Sequence, residues 1–116
     1  EVSHKIMEVN FFGNIALTKA VLPIFRQQQA GQILVISSIA GKFGFHLRST
    51  YSASKHALMG YYESLVMEEM SYGLKVTLAC PGKINTPIST NAVTGEGRFM
   101  VRWIIIKQLE CLCRSV

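Results

Sequence analysis

The sequence predicts an α/β fold with a parallel sheet, on three observations. There are two short apolar runs suited to buried strands, a long helical period in front of each, and a chain break of small residues or Pro-Gly behind each. Helix-to-strand units repeated in this way make right-handed crossovers between parallel strands. The first helical period covers residues 4 to about 29, where Ile6, Val9, Phe12, Ile15, Ala16, Ala20, Ile24 and Phe25 recur at helical spacing. One long helix is expected there, with Ser3 as its N-cap and Pro23 kinking its last turns, because the proline ring removes a backbone donor. Ala30-Gly31 stops it. Gln32 to Ile36, apolar and β-branched, is expected as a central, buried parallel strand that delivers Ser38 at its carboxyl end. In open parallel sheets that end is where ligands bind.

Residues 39 to 49 read as a loop carrying Gly41, Gly44, His46 and Arg48, after which Ser49 or Thr50 is expected to cap a second helix running to about Tyr72. His46 lies near the expected site mouth and is read as a solvent-facing loop histidine. Gly73 ends the helix, Lys75 to Cys80 forms the next buried strand, and Pro81-Gly82 breaks it at the same edge of the sheet.

Length and composition set bounds on function. With 116 residues there is room for one domain, and a 49% hydrophobic content is enough for a buried sheet. The net charge of +5 is dispersed, and no basic stretch interleaves with aromatics, so nucleic acid is not an expected partner. Cys80, Cys111 and Cys113 are an odd set without paired spacing, which argues against a disulfide framework and for a reducing intracellular compartment, cytoplasmic or endoplasmic-reticulum associated. Cys111 and Cys113 lack a second ligand pair, so no metal site is expected. No apolar run of about 18 residues occurs, so no membrane contact is expected of this stretch.

The chemistry starts from Tyr51 and Lys55, four positions apart on one helix face. A neighbouring ammonium favours the phenolate form of a phenol, which suits a tyrosine to acid/base work on an alcohol or carbonyl. Such a pair is also an ordinary helix contact, and its context decides between the two. Ser38 lies 13 positions before Tyr51, and Asn10 a further 28 before Ser38. Asn10 is poorly placed for helix propensity in an apolar helix and is costly to bury without a partner.

Asn10, Ser38, Tyr51 and Lys55, in this order and spacing and followed by Pro81-Gly82 and Thr86, resemble the catalytic tetrad of the short-chain dehydrogenase/reductase family. The resemblance covers roughly residues 1 to 98. It implies that Tyr51 is the acid/base and that Lys55 assists it and bonds the nicotinamide ribose. Ser38 would bond the substrate oxygen, and Asn10 would hold a water leading to the lysine, a buried structural asparagine being the competing reading. It implies further that Pro81, Gly82, Ile84 and Thr86 belong to the loop holding the nicotinamide carboxamide, Lys83 being a solvated charge. The resemblance also implies NADP or NAD as the cofactor, with NADP favoured, and a secondary alcohol or carbonyl as the substrate. Gly41-Lys42-Phe43-Gly44 with Arg48-Ser49-Thr50-Tyr51 resembles the member-seven subgroup, which implies a lipophilic substrate.

The nine glycines form no phosphate-binding fingerprint. The chain is therefore expected to be the C-terminal half of a Rossmann-type doubly wound parallel sheet. Residues 1–98 are expected to form that catalytic half and 99–116 a divergent apolar tail, in which Trp103 and Ile104 to Ile106 lie on protein or on a membrane surface, packing on exposed protein being preferred. In the family, the helices at 4–29 and 50–72 build a dimer interface. A homo-oligomer is thus expected, and a catalytically inactive, truncated interaction module is the alternative function.

Overall fold

The structure is a computed structural model that describes residues 1–82 and 114–115. Its first helical segment is not a single α-helix. Val2–Met7 (α1) passes through a π-helical turn at Glu8–Phe12 into Gly13–Gln28 (α2). The physical reason lies in two bonds: Gly13 N–H reaches back five residues to the Glu8 carbonyl, and the Asn14 side-chain amide takes the Asn10 carbonyl at 2.9 Å. A side chain entering the backbone ladder widens the helix in this way. Ser3 is not the cap. The helix starts two residues earlier than expected, at Val2, and the Ser3 hydroxyl lies 2.9 Å from that of Thr50. α2 continues past Pro23 and turns off at Gln29, which takes the left-handed conformation at φ 52°.

Gly31–Ile36 (β1) follows, then a tight turn at Ile39–Gly41, the helix Ser49–Glu68 (α3), a second turn at Met70–Tyr72, and Leu74–Ala79 (β2). Neither Ser49 nor Thr50 caps α3; Arg48 holds the cap position, without a side-chain cap bond. Thr50 is instead committed to Ser3. Gly73 reverses the chain at φ 71°, and a Cβ there would sit 2.7 Å from the Gln29 carbonyl, so the turns after α2 and α3 abut at a point only glycine fits.

β1 and β2 pair in parallel, from Gly31 opposite Leu74 to Ile36 opposite Ala79. Arg114–Ser115 (β3) runs antiparallel on the far side of β2. The rest of the expected tail, including Trp103, Ile104 to Ile106, Cys111 and Cys113, lies outside the described residues, as do Lys83, Ile84 and Thr86.

The core is Leu22 of α2 and Leu58, Tyr62 and Leu65 of α3 against Val35, Val76 and Leu78 of the sheet. Within it the Thr18 and Tyr62 hydroxyls bond at 2.5 Å. The expected full burial of the first strand is corrected. Leu34 is 64% and Ile36 58% exposed, because the described helices cover only the other face of β1, which is an edge strand here. Among the described residues no helix is long and apolar enough to cross a membrane.

At the far end from the serines, Arg26 of α2 forks onto Glu69 beyond α3, with one bond at 2.8 Å, and its guanidinium lies 5.5 Å over the Tyr72 ring. The hydrogen bond from Arg26 holds the Glu69 carboxyl below its usual range. A depressed carboxylate contributes stability that is complete above its unfolded value and is lost as pH falls through its folded one. Urea titrations of Glu69→Gln should therefore show lower stability near neutrality and a flatter acid limb. An unchanged acid limb would remove the pair from the account of acid stability.

Candidate active site

The parallel crossover fixes where the reactive groups meet. α3 leaves the carboxyl end of β1 and returns to start β2, so its first two turns, with Tyr51 and Lys55, stand at the edge where β1 delivers Ser37 and Ser38. The edge is closed by main-chain bonds from Ser37 N–H to Ala79 (2.8 Å) and from Ile39 N–H to Pro81 (3.1 Å). These bring Pro81 and Gly82 beside the serines.

Ser38 starts the Ile39–Gly41 turn, and its hydroxyl oxygen accepts the Ala40 N–H at 3.2 Å. That bond uses a lone pair, leaving the O–H to donate elsewhere. Ser37, buried beside it, donates to the Lys55 carbonyl at 3.4 Å. Gly41 completes the clamp, since a Cβ on it would fall 2.9 Å from that carbonyl and 2.7 Å from the Ser37 hydroxyl. The turn thus rests directly on the backbone that carries Lys55. Gly41→Ala should push the turn off α3, lowering the thermal midpoint and turnover together. A variant with wild-type melting and rate would show that the close approach is dispensable.

The Lys55 ammonium lies 5.8 Å from the centre of the Tyr51 ring. Burial lowers the Lys55 pKa from its ordinary 10.5, and no carboxylate faces it among the described residues. Asn10 joins through Ser54. Its amide donates to the fully buried Ser54 hydroxyl at 3.1 Å, and Ser54 donates to the Tyr51 carbonyl at 2.8 Å. The Asn10 amide nitrogen thus has a protein partner on α3, and Asn10 itself lies within the π-turn. His46 is exposed, with Phe43 and Leu47 of the same loop each 58% exposed.

The sequence grouped Asn10, Ser38, Tyr51 and Lys55 by resemblance and put Ser38 at the sheet edge, but it gave no role to Ser37, Gly41 and Ser54, which make the bonds and close contacts described above. A serine buried inside a helix, as Ser54 is, was the available signal, since such a hydroxyl needs a partner.

The short chain dehydrogenase family model matches residues 1–97, and the chain belongs to the short-chain dehydrogenase/reductase family. It is 48% identical over 96 residues to dehydrogenase/reductase SDR family member 7B of Danio rerio, covering 83% of this chain and 31% of that protein. It is 50% identical over 97 residues to an SDR family protein 7-like of Anopheles gambiae, covering 84% and 31%. The mouse member 7B is 47% identical over 97 residues, covering 84% and 30%. A solved short-chain dehydrogenase from Streptomyces avermitilis superposes with a TM-score of 0.69 at 37% identity, over 72% of this chain and 31% of that one. The chain thus spans about 31% of the length of the proteins it matches.

The described residues fit the nicotinamide end of a dinucleotide. A half-buried lysine without a carboxylate partner can donate to ribose hydroxyls, beside a tyrosine and a strand-end serine.

Proposed function

We propose that this chain supplies the catalytic half of an oxidoreductase that interconverts a secondary alcohol and a carbonyl on a lipophilic substrate. NADP is the favoured cofactor and NAD the alternative. The observation that carries the reading is the Lys55 ammonium 5.8 Å from the Tyr51 ring centre, on a helix tied to the strand end by the bond from the Ser37 hydroxyl to the Lys55 carbonyl. The bound dinucleotide supplies or takes the hydride through C4 of its nicotinamide ring. In the reductive direction the Tyr51 O–H gives its proton to the substrate oxygen as negative charge grows there. Ser38 donates a hydrogen bond to the same oxygen, a positioned-donor role of the kind that stabilises a transition state. Lys55 places a positive charge beside the phenolate that Tyr51 becomes, and it is offered, with Pro81, Gly82, Ile84 and Thr86, as a cofactor contact. Exposed Phe43 and Leu47, between Ser38 and Tyr51, support an apolar substrate.

The test uses the full-length protein, NADPH or NADH deuterated at C4, and a long-chain methyl ketone, with the alcohol read by mass spectrometry. Deuterium on the carbinol carbon is expected. Its absence with both dinucleotides, across a panel of lipophilic ketones, would overturn the reading.

A second reading, as a dimerisation module, is favoured by the apolar side chains left exposed on the first helical segment: Phe12 at 50%, Leu17 at 73% and Ile24 at 51%. Light scattering is expected to give a dimer through the helices at 4–29 and 50–72; a monodisperse monomer would reject it.

A further inference from the structure

We infer that Arg48 is a positioning residue for Tyr51, holding the phenol ring beneath its guanidinium. The inference rests on Tyr51 being the acid/base of the proposed reaction. Arg48 precedes α3 and is fixed by its backbone: its N–H donates to the Phe45 carbonyl at 3.1 Å, and its carbonyl accepts the Ser52 N–H at 2.8 Å. The turn between is tight enough to hold Leu47 in the left-handed region at φ 58°, which a leucine adopts only at a cost. From this seat the guanidinium carbon lies 5.8 Å from the centre of the Tyr51 ring, the distance at which Lys55 approaches the same ring. That is within the range of a cation–π attraction.

The contrast with Arg26 indicates what Arg48 is for. Arg26 also covers a tyrosine ring, but it is committed to Glu69, and its role is structural. Arg48 has no such commitment among the described residues, and its Nε is buried without a hydrogen-bond partner. The sequence offers few candidates, since no Asp or Glu occurs between Glu8 and Glu63. A guanidinium N–H buried without an acceptor costs stability, so the Tyr51 ring is the favourable contact the side chain has gained. A planar cation on the ring restricts its tilt. It also favours the negative charge that spreads into the ring once the phenol has given up its proton. Arg48 touches no reacting atom in this account and acts through Tyr51.

The experiment is a double-mutant cycle in the full-length protein, with NADPH and the long-chain methyl ketone as probes. Arg48→Met keeps the length and the apolar stem but removes the charge. It should lower kcat by about five- to thirty-fold, with the KM for NADPH and the thermal midpoint unchanged, and Arg48→Lys should recover part of the loss. In a Tyr51→Phe background, which has no proton to give, Arg48→Met should change nothing further. An equal loss in that background, or a raised KM at unchanged kcat, would overturn the inference. A Tyr51→Phe enzyme of wild-type turnover would sink the acid/base reading itself. The contact is tested apart from activity by NMR. The Arg48 δ-methylene protons should be shifted upfield and lose that shift in Tyr51→Leu, and an unshifted signal in the wild type would overturn the placement.

Discussion

Tyr51→Phe is expected to lower turnover by about a hundred- to ten-thousand-fold, the range that a positioned acid/base contributes, while leaving the fold intact. The second half of that expectation comes from comparing two tyrosines of one helix. The Tyr62 hydroxyl is bonded in the core to Thr18 at 2.5 Å, so removing it would strand a buried partner. The Tyr51 hydroxyl has no hydrogen bond to any described residue, and its ring is only half-buried. A hydroxyl that bonds no described residue, on a ring beside Lys55, is free to serve a substrate. Steady-state kinetics with the ketone, beside thermal melts, checks both halves. Comparable turnover in the two proteins would end the catalytic assignment, whereas a collapsed melt would make Tyr51 structural.

Much of this site was legible in the sequence because the chemistry sits at fixed offsets within elements whose periods are plain. Tyr51 and Lys55 share a helix face, and Ser38 ends an apolar run, so one crossover brings them to one edge. What was not legible depends on side-chain bonds and on contacts between segments, neither of which periodicity registers. The π-turn at Glu8–Phe12 follows from Asn14 bonding the Asn10 carbonyl, an alternative use of an asparagine that helical periodicity does not register. Ser3 reads as a cap by local rules, but Thr50, distant in sequence, claims its hydroxyl. The exposure of Leu34 and Ile36 was hidden for a similar reason. An apolar run predicts a strand buried on both faces, and whether each face is covered depends on other segments. The Arg26–Glu69 pair was invisible because neither residue belongs to a motif and their meeting depends on how α2 and α3 end.

Lys55→Met is the second large expected effect, and it separates function from stability. Turnover should fall about as far as in Tyr51→Phe, and dinucleotide binding should weaken as well, because the ammonium serves both the phenol and the ribose in the proposed reaction. Stability should not fall with it. Burial lowers the Lys55 pKa and no carboxylate offsets the burial among the described residues, so the charged lysine is a cost to folding. The sign follows from linkage. The unfolded chain holds the proton more tightly, so the cost is complete below the lowered folded value and disappears as pH rises through it toward the ordinary 10.5. Denaturant melts should therefore find Lys55→Met as stable as the wild type or more so near neutrality, with the difference closing at alkaline pH. A variant that melts earlier yet binds NADPH as tightly as the wild type would make Lys55 a structural residue and remove it from the site.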